Sequence, residues 1–237
     1  ATARRPAERA ASPVDLTRMT VPPSPRPGLD AAALAGGSTR QATSASPWVD
    51  GGWHARARIV ASPNFGARPQ GTAVDLVVLH SISLPPGEYG GPAIEQLFTN
   101  QLDPAGHASF AEVAGLRVSA HFLIRRDGEL LQFVDVDQRA WHAGVSNWRG
   151  RRGCNDFSVG IELEGLPGDA FEPAQYQVLA RLLADLAQRW PVAEVTGHEH
   201  VAPGRKTDPG PAFDWPLLAG LVAPTHLALT PAVPHSA

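Results

Sequence analysis

Apolar positions along this chain fall in two rhythms, and each predicts a kind of element. Residues Val74 to Leu79, VDLVVL, form a near-continuous apolar run that stops at His80. Such a run reads as a central strand buried on both faces, with a polar group at its C-terminal end. Ser158 to Glu164, SVGIELE, alternates instead. Side chains of a strand point to opposite faces in turn, so Val159, Ile161 and Leu163 share one face. Gly160, Glu162 and Glu164 share the other. Ser119 to Ile124 and Leu130 to Val134 flank Arg126-Asp127-Gly128, which predicts a hairpin with an Asp-Gly turn. Pro173 then opens a stretch of helical period reaching about Trp190. Its apolar positions are Tyr176, Leu179, Leu182, Leu183, Leu186 and Trp190. A shorter helix is predicted over Pro92 to Thr99. Strands and helices mix along the chain without internal repeats, which predicts an α/β or α+β class built on one central sheet.

The ends differ from this body. The first 47 residues contain no Phe, Tyr or Trp and carry Pro at 6, 13, 22, 23, 25, 27 and 47. Six Arg against three acids make this segment +3, which leaves -6 on the remainder. It cannot bury enough apolar area to offset the entropy of ordering it. The expectation is a disordered extension over 1–50, one domain over 51–222, and a loose, Pro-punctuated tail over 223–237. A targeting peptide is the alternative for the N-terminal stretch, although it lacks the continuous apolar core of a secretory signal.

Composition narrows the function. The 237 residues carry a net charge of -3 at pH 7, against a nucleic-acid footprint. No apolar run approaches the roughly 18 residues of a membrane span. One Cys excludes an internal disulfide framework and a Cys-rich zinc knuckle. Of the 20 basic residues, 19 are Arg and one is Lys, Lys206. A chain that uses Arg for every other cation keeps an ammonium at one place.

The candidate chemistry gathers in a few segments. His80 ends a buried strand, a usual place for site residues in open sheets. Thr196 to Pro211, TGHEHVAPGRKTDPGP, packs two His, an Asp and Lys206 into a loop stiffened by Pro. Two His and an Asp with one open position make a sound catalytic zinc shell. His198 and Asp208 are ten residues apart and would have to meet through loop folding. Arg205 already supplies a plain positive charge beside Lys206. A compact ammonium suits a developing oxyanion or a proton role. On the polar face of the alternating strand, either Glu162 or Glu164 could be a general base. Glu162 is slightly favoured, because the middle of a strand is less often exposed than its end. Trp141-His142-Ala143-Gly144 is a cluster able to line a groove or to pack. Cys154 has no local base to make it a nucleophile.

Five blocks in order carry a resemblance. They are His80 to Gly91 (HSISLPPGEYGG), Arg117 to His121 (RVSAH), Trp141 to Gly144 (WHAG), Cys154 to Glu162 (CNDFSVGIE) and Gly204 to Trp215 (GRKTDPGPAFDW). Together, over about Gly52 to Leu221, they resemble the AmpD-type N-acetylmuramoyl-L-alanine amidases, zinc amidases related to peptidoglycan recognition proteins. The resemblance implies a central mixed β-sheet flanked by helices, with a zinc cleft at one face. It places the zinc ligands at His80, His198 and Asp208, one ion per chain. It places the general base at Glu162 and the oxyanion-stabilising Lys at Lys206. It places the substrate-groove Arg at Arg117 and the groove lining at Trp141, His142 and Ala143. Two positions depart from the family pattern. Ser81 stands where Asn often follows the first ligand. Gly153 stands where Arg often precedes Cys-Asn-Asp, with Arg152 one step back as its substitute.

The implied activity is zinc-dependent hydrolysis of the amide between the lactyl group of anhydro-N-acetylmuramic acid and L-alanine in muropeptides. The Pro-Pro-Gly-Glu and Lys-Thr-Asp-Pro-Gly-Pro-Ala-Phe-Asp-Trp blocks point to the cytoplasmic recycling branch. The expected partner is the muropeptide, with no nucleic acid and no membrane, and the chain acting as a monomer. The rival classes are a non-catalytic peptidoglycan-binding module of the same fold, a secreted cell-wall amidase and, more distantly, a Cys-dependent peptidase.

Overall fold

Seven strands join in one sheet in this computed structural model, which describes residues 46–231. They are β1 (Arg58–Ile59), β2 (Leu76–Ile82), β3 (Phe122–Ile124), β4 (Leu130–Gln132), β5 (Ser158–Glu164), β6 (Glu194–Gly197) and β7 (Ala228–Thr230). Their order in space is β7-β6-β2-β5-β3-β4-β1. The run from β7 to β3 is parallel. β4 is antiparallel to β3, and β1 is parallel to β4. The helices are α1 (Ala93–Phe98), α2 (Pro173–Arg189), α3 (His198–Val201) and α4 (Trp215–Val222). The expected mixed sheet flanked by helices is the architecture found. Among the described residues, no helix is long and apolar enough to cross a membrane.

The two strand patterns acquire distinct physical reasons. β5 turns Val159, Ile161 and Leu163 into the main core, against Leu179, Leu182, Leu183 and Leu186 of α2. The apolar run in β2 is continuous because both its faces are covered. Val77 and Leu79 enter that same core. Leu76 and Val78 face the other way, onto Ala143, Trp148, Cys154, Phe157 and Val201. α2 begins on Pro173, and Glu172 N–H donates to Gln175 Oε1 at 2.9 Å across its first turn.

The hairpin forms with Phe122 opposite Gln132, Leu123 opposite Leu131 and Ile124 opposite Leu130. Gly128 N–H donates to Arg125 O at 2.9 Å, and Gly128 has φ +90°. A side chain with a Cβ is strained there, so the Asp-Gly pair suits this turn.

Both domain edges lie differently from expectation. The N-terminal part of the expected extension, residues 1–45, falls outside the described residues, as do 232–237. Within 46–50, Trp48 belongs to the folded domain. Its ring sits edge-on to Trp190 at 4.6 Å and to His54 at 4.9 Å, and its Nε1–H donates to Asp185 O. Burying one indole offsets the ordering of a few polar neighbours. At the other end, β7 lies inside the segment read as a loose tail. Ala228, Leu229 and Thr230 pair with Glu194, Val195 and Thr196. The outer edge of β6 carries unpaired backbone groups, and three residues of extended chain satisfy them without a long apolar stretch.

Candidate active site

The face of the sheet opposite α2 collects the polar residues. β2 and β5 are parallel neighbours with His80 in register with Glu162, so both side chains rise from this face side by side. On the other flank of β2, β6 ends at Gly197 opposite Leu79, and His198 opens α3 immediately after it. Asp208 returns from the loop beyond α3, which Glu199 N–H ties down by donating to Asp208 O at 2.9 Å. Three segments distant in sequence thus meet at the carboxyl ends of parallel strands.

The three donors converge closely. His80 Nδ1 lies 3.0 Å from His198 Nδ1 and 3.1 Å from Asp208 Oδ2, and His198 Nδ1 lies 3.0 Å from Asp208 Oδ2. This is the one such convergence of metal-ligating side chains among the described residues. His198 Nε2 lies 3.2 Å from Ala143 O, a pure acceptor, so that nitrogen carries the proton and Nδ1 is bare. Burial pushes the His80 imidazole down to about 4, so the ring is neutral at pH 7. Bare nitrogens and an ionised carboxylate crowded at about 3 Å repel one another unless a cation sits among them. Two imidazoles and one carboxylate suit zinc in an open catalytic shell.

The two glutamates differ in their partners. Glu164 is occupied: its Oε1 accepts from Arg125 Nη1 at 2.7 Å and from Gly90 N–H at 2.7 Å. Glu162 is buried, and its Oε2 has no hydrogen-bond partner. Burial, helped by the nearby Asp208 charge and opposed by Lys206, raises the Glu162 carboxyl well above its ordinary value. It is a carboxyl in want of a proton partner, beside the donor triangle.

Lys206 and its neighbour divide two tasks. Arg205 Nη2 donates to Ala143 O and to Val145 O, each at 2.7 Å, which clamps the 143–145 segment. The Lys206 backbone N–H is tied to Ala202 O at 3.1 Å, and its exposed side chain lines the cleft. Arg205 holds structure, and Lys206 lies exposed in the same lining. The cleft itself has a volume of about 380 Å³. Its apolar wall includes Ile82, Leu97, Phe98, Leu116 and Trp141. A larger concavity of about 520 Å³ alongside α2, lined by His54, Arg58, Arg181 and Asp185, holds no converging ligand set.

The remaining expected site residues separate. Ser81 lines the cleft, and its Oγ is buried without a partner. Trp141 also lines it. Arg117 is exposed and is not part of the lining, although Leu116 and Val118 on either side of it are. Ala143 and Arg152 fall outside the lining, whereas His142 belongs to it. Ala143 is fully buried and shows the groove no side chain; its contribution is the carbonyl held by His198 and Arg205. Arg152 is exposed on a short strand pair with Asn147–Trp148 and is not part of the cleft lining. His142 touches the cleft, but its ring is turned onto His80, with His80 Nε2 2.9 Å from His142 Nδ1.

The supports behind the donor triangle carry only a weak signal in the sequence. Asn155 Oδ1 accepts from both His142 N–H at 3.1 Å and Ala143 N–H at 2.8 Å. Gly160 lies directly against the His142 ring. A glycine in the middle of an otherwise well-patterned strand was the available signal for that close approach. Cys154 is buried, and burial raises its thiol, which disfavours the thiolate that a nucleophile needs.

Known proteins resemble this chain over most of its described length. Residues 70–211 match the family model described as N-acetylmuramoyl-L-alanine amidase. A curated 1,6-anhydro-N-acetylmuramyl-L-alanine amidase, AmpD of Salmonella typhimurium, is 57% identical over 176 residues, covering 73% of this chain and 94% of that protein. AmpD of Escherichia coli is 55% identical over 177 residues, covering 74% and 97% respectively. A crystal structure of a selenomethionine derivative of AmpD matches with a TM-score of 0.71 at 56% identity, covering 74% of this chain and 99% of that one. The fold, the donor triangle and these matches lead to one conclusion: this chain belongs to the N-acetylmuramoyl-L-alanine amidase family.

Proposed function

We propose that this amidase acts on muropeptides carrying 1,6-anhydro-N-acetylmuramic acid. It hydrolyses the amide that joins the lactyl group to L-alanine, with one zinc ion per chain, in cytoplasmic recycling of peptidoglycan. The observation that carries the reading is Glu162 Oε2, buried and unpartnered beside the His80, His198 and Asp208 donors. The AmpD relatives at 55–57% identity support the anhydro substrate and the recycling role.

A zinc ion held by His80, His198 and Asp208 would supply Lewis acidity toward the scissile carbonyl and acidify water. Glu162 takes the proton of the attacking water at Oε2 and delivers it to the leaving L-alanine amine. The Lys206 ammonium faces the same cleft and offsets the charge that develops on the carbonyl oxygen. Ser81 Oγ, buried and free, offers the substrate a hydrogen bond. Trp141 and the apolar wall hold the substrate and exclude water. Arg117, exposed beside the cleft, is available to an anionic group of the peptide.

The test incubates the protein with anhydro-muropeptides, with and without a chelator, and reads free peptide by mass spectrometry. Release that stops with the chelator and returns with added zinc is expected. Release that ignores the chelator overturns the zinc reading. No release under any condition overturns the substrate assignment and favours a binding module. Cell fractionation with activity recovered only from periplasm would overturn the cytoplasmic assignment.

A further inference from the structure

Behind the donor triangle lies a chain of hydrogen bonds whose direction can be read from its fixed end. Ser158 Oγ lies 2.6 Å from Cys154 O. A carbonyl only accepts, so Ser158 donates there and its oxygen lone pairs face the other way. His142 Nε2 lies 3.2 Å from that oxygen and must be the donor to it. A neutral imidazole with its proton on Nε2 has a bare Nδ1. His142 Nδ1 then accepts from His80 Nε2 at 2.9 Å. The His80 proton is thereby held on Nε2, and His80 Nδ1 is left bare toward His198 and Asp208.

The adjacent residue orients the other imidazole ligand, since Ala143 O receives the His198 Nε2 proton. One dipeptide, His142-Ala143, therefore faces both histidines from behind. Its own backbone is pinned by Asn155 Oδ1, which accepts both N–H groups. The packing is specific to it as well. A Cβ at position 160 would lie 2.4 Å from His142 Cγ and 2.6 Å from His142 Nδ1, so Gly160 is what admits the ring.

We propose that His142 is a positioning residue for the metal centre: it fixes the His80 tautomer through a relay anchored on Ser158 and the Cys154 carbonyl. The inference rests on the zinc reading above. It assigns His142 to the ligand shell's support rather than to a substrate contact. Partners of this kind orient metal-bound imidazoles and raise their basicity.

The experiment measures zinc affinity of the full chain by competition with a chelator of known affinity. His142→Leu removes the acceptor and is expected to weaken zinc binding by roughly 10- to 100-fold. His142→Asn places an amide oxygen near the lost Nδ1 and is expected to recover part of that loss. Ser158→Ala, a small change, is expected to give a loss smaller than His142→Leu. Imidazole nitrogen NMR of the zinc-loaded wild type reads the tautomers directly and needs no variant to fold. It is expected to find the His142 proton on Nε2 and a bare Nδ1. A proton on His142 Nδ1, or wild-type zinc affinity in His142→Leu, overturns the inference while leaving the zinc reading intact. A wild-type protein that binds no zinc overturns both.

Discussion

Gly160 offers a sharp test of the packing behind the site. Replacing it with Ala places a methyl group 2.4 Å from His142 Cγ, 2.6 Å from Nδ1 and 2.7 Å from Cδ2. Ordinary carbon contacts begin at about 3.5 Å, so the overlap is about 1 Å. The flexible end of a long side chain could yield that distance. The His142 ring cannot do so freely, because His80 holds one nitrogen and Ser158 the other. The strand carrying residue 160 is no freer, lying between β2 and β3 in the middle of the sheet. Overpacking of this kind costs about 1–3 kcal/mol. Ala is the better strand residue by about 0.5–1 kcal/mol, which offsets only part of it. For a domain of this size each kcal/mol moves the melting midpoint by about 2–4 °C. Gly160→Ala is therefore expected to lower the midpoint by several degrees. The companion variant His142→Ala removes the ring, and Gly160→Ala added to it should be neutral or mildly stabilising. Thermal unfolding of the four proteins closes the cycle. An unchanged midpoint in Gly160→Ala, or the same loss with and without the ring, would refute the reasoning.

Glu162→Gln should lower turnover by about 10²- to 10⁴-fold with zinc affinity close to wild type, measured by muropeptide hydrolysis and chelator competition. The same variant has a stability signature in the metal-free protein. The folded carboxyl is raised above its ordinary 4.5, so the unfolded chain ionises first as pH rises, and wild-type stability falls from that pH upward. Metal-free Glu162→Gln should consequently unfold at a higher temperature than wild type at pH 7, with the advantage vanishing below pH 4.5; equal midpoints at both pH values would contradict the buried, unpartnered carboxyl. Lys206→Ala should bind zinc normally yet lose about 10²- to 10³-fold in turnover, and near-normal hydrolysis would remove the ammonium from the mechanism. Cys154→Ser should retain full activity, and in the native wild type the buried thiol should resist alkylation at pH 7; rapid labelling would show an accessible thiolate.

Much of this was legible along the chain because periodicity reports burial. The alternation of SVGIELE named the face of β5 that meets α2, and the 173–190 stretch named the face of α2 that answers it. The apolar run before His80 announced a strand covered on both sides. The motif blocks singled out His80, His198 and Asp208, whose donor atoms converge, before any geometry was known. Pattern was weakest where short segments take their structure from a neighbour. Trp48 is ordered by the Trp190 ring, and residues 228–230 are ordered by the free edge of β6. Neither effect has a periodic signature.

Tertiary structure alone decided which groups are free. Glu162 and Glu164 are equivalent as sequence, two carboxylates on one strand face. Only the fold brings Arg125 and the Gly90 amide to one and leaves the other buried without a partner. Arg205 and Lys206 are adjacent cations, yet the carbonyls of Ala143 and Val145 take the first and leave the second to the cleft. His142 reads as part of a groove until its ring is seen against His80, with Gly160 making the room. The physical reason is common to all three. A side chain's type is written in the sequence, but its unsatisfied valence for a proton, a charge or a metal is whatever its spatial neighbours have not already filled.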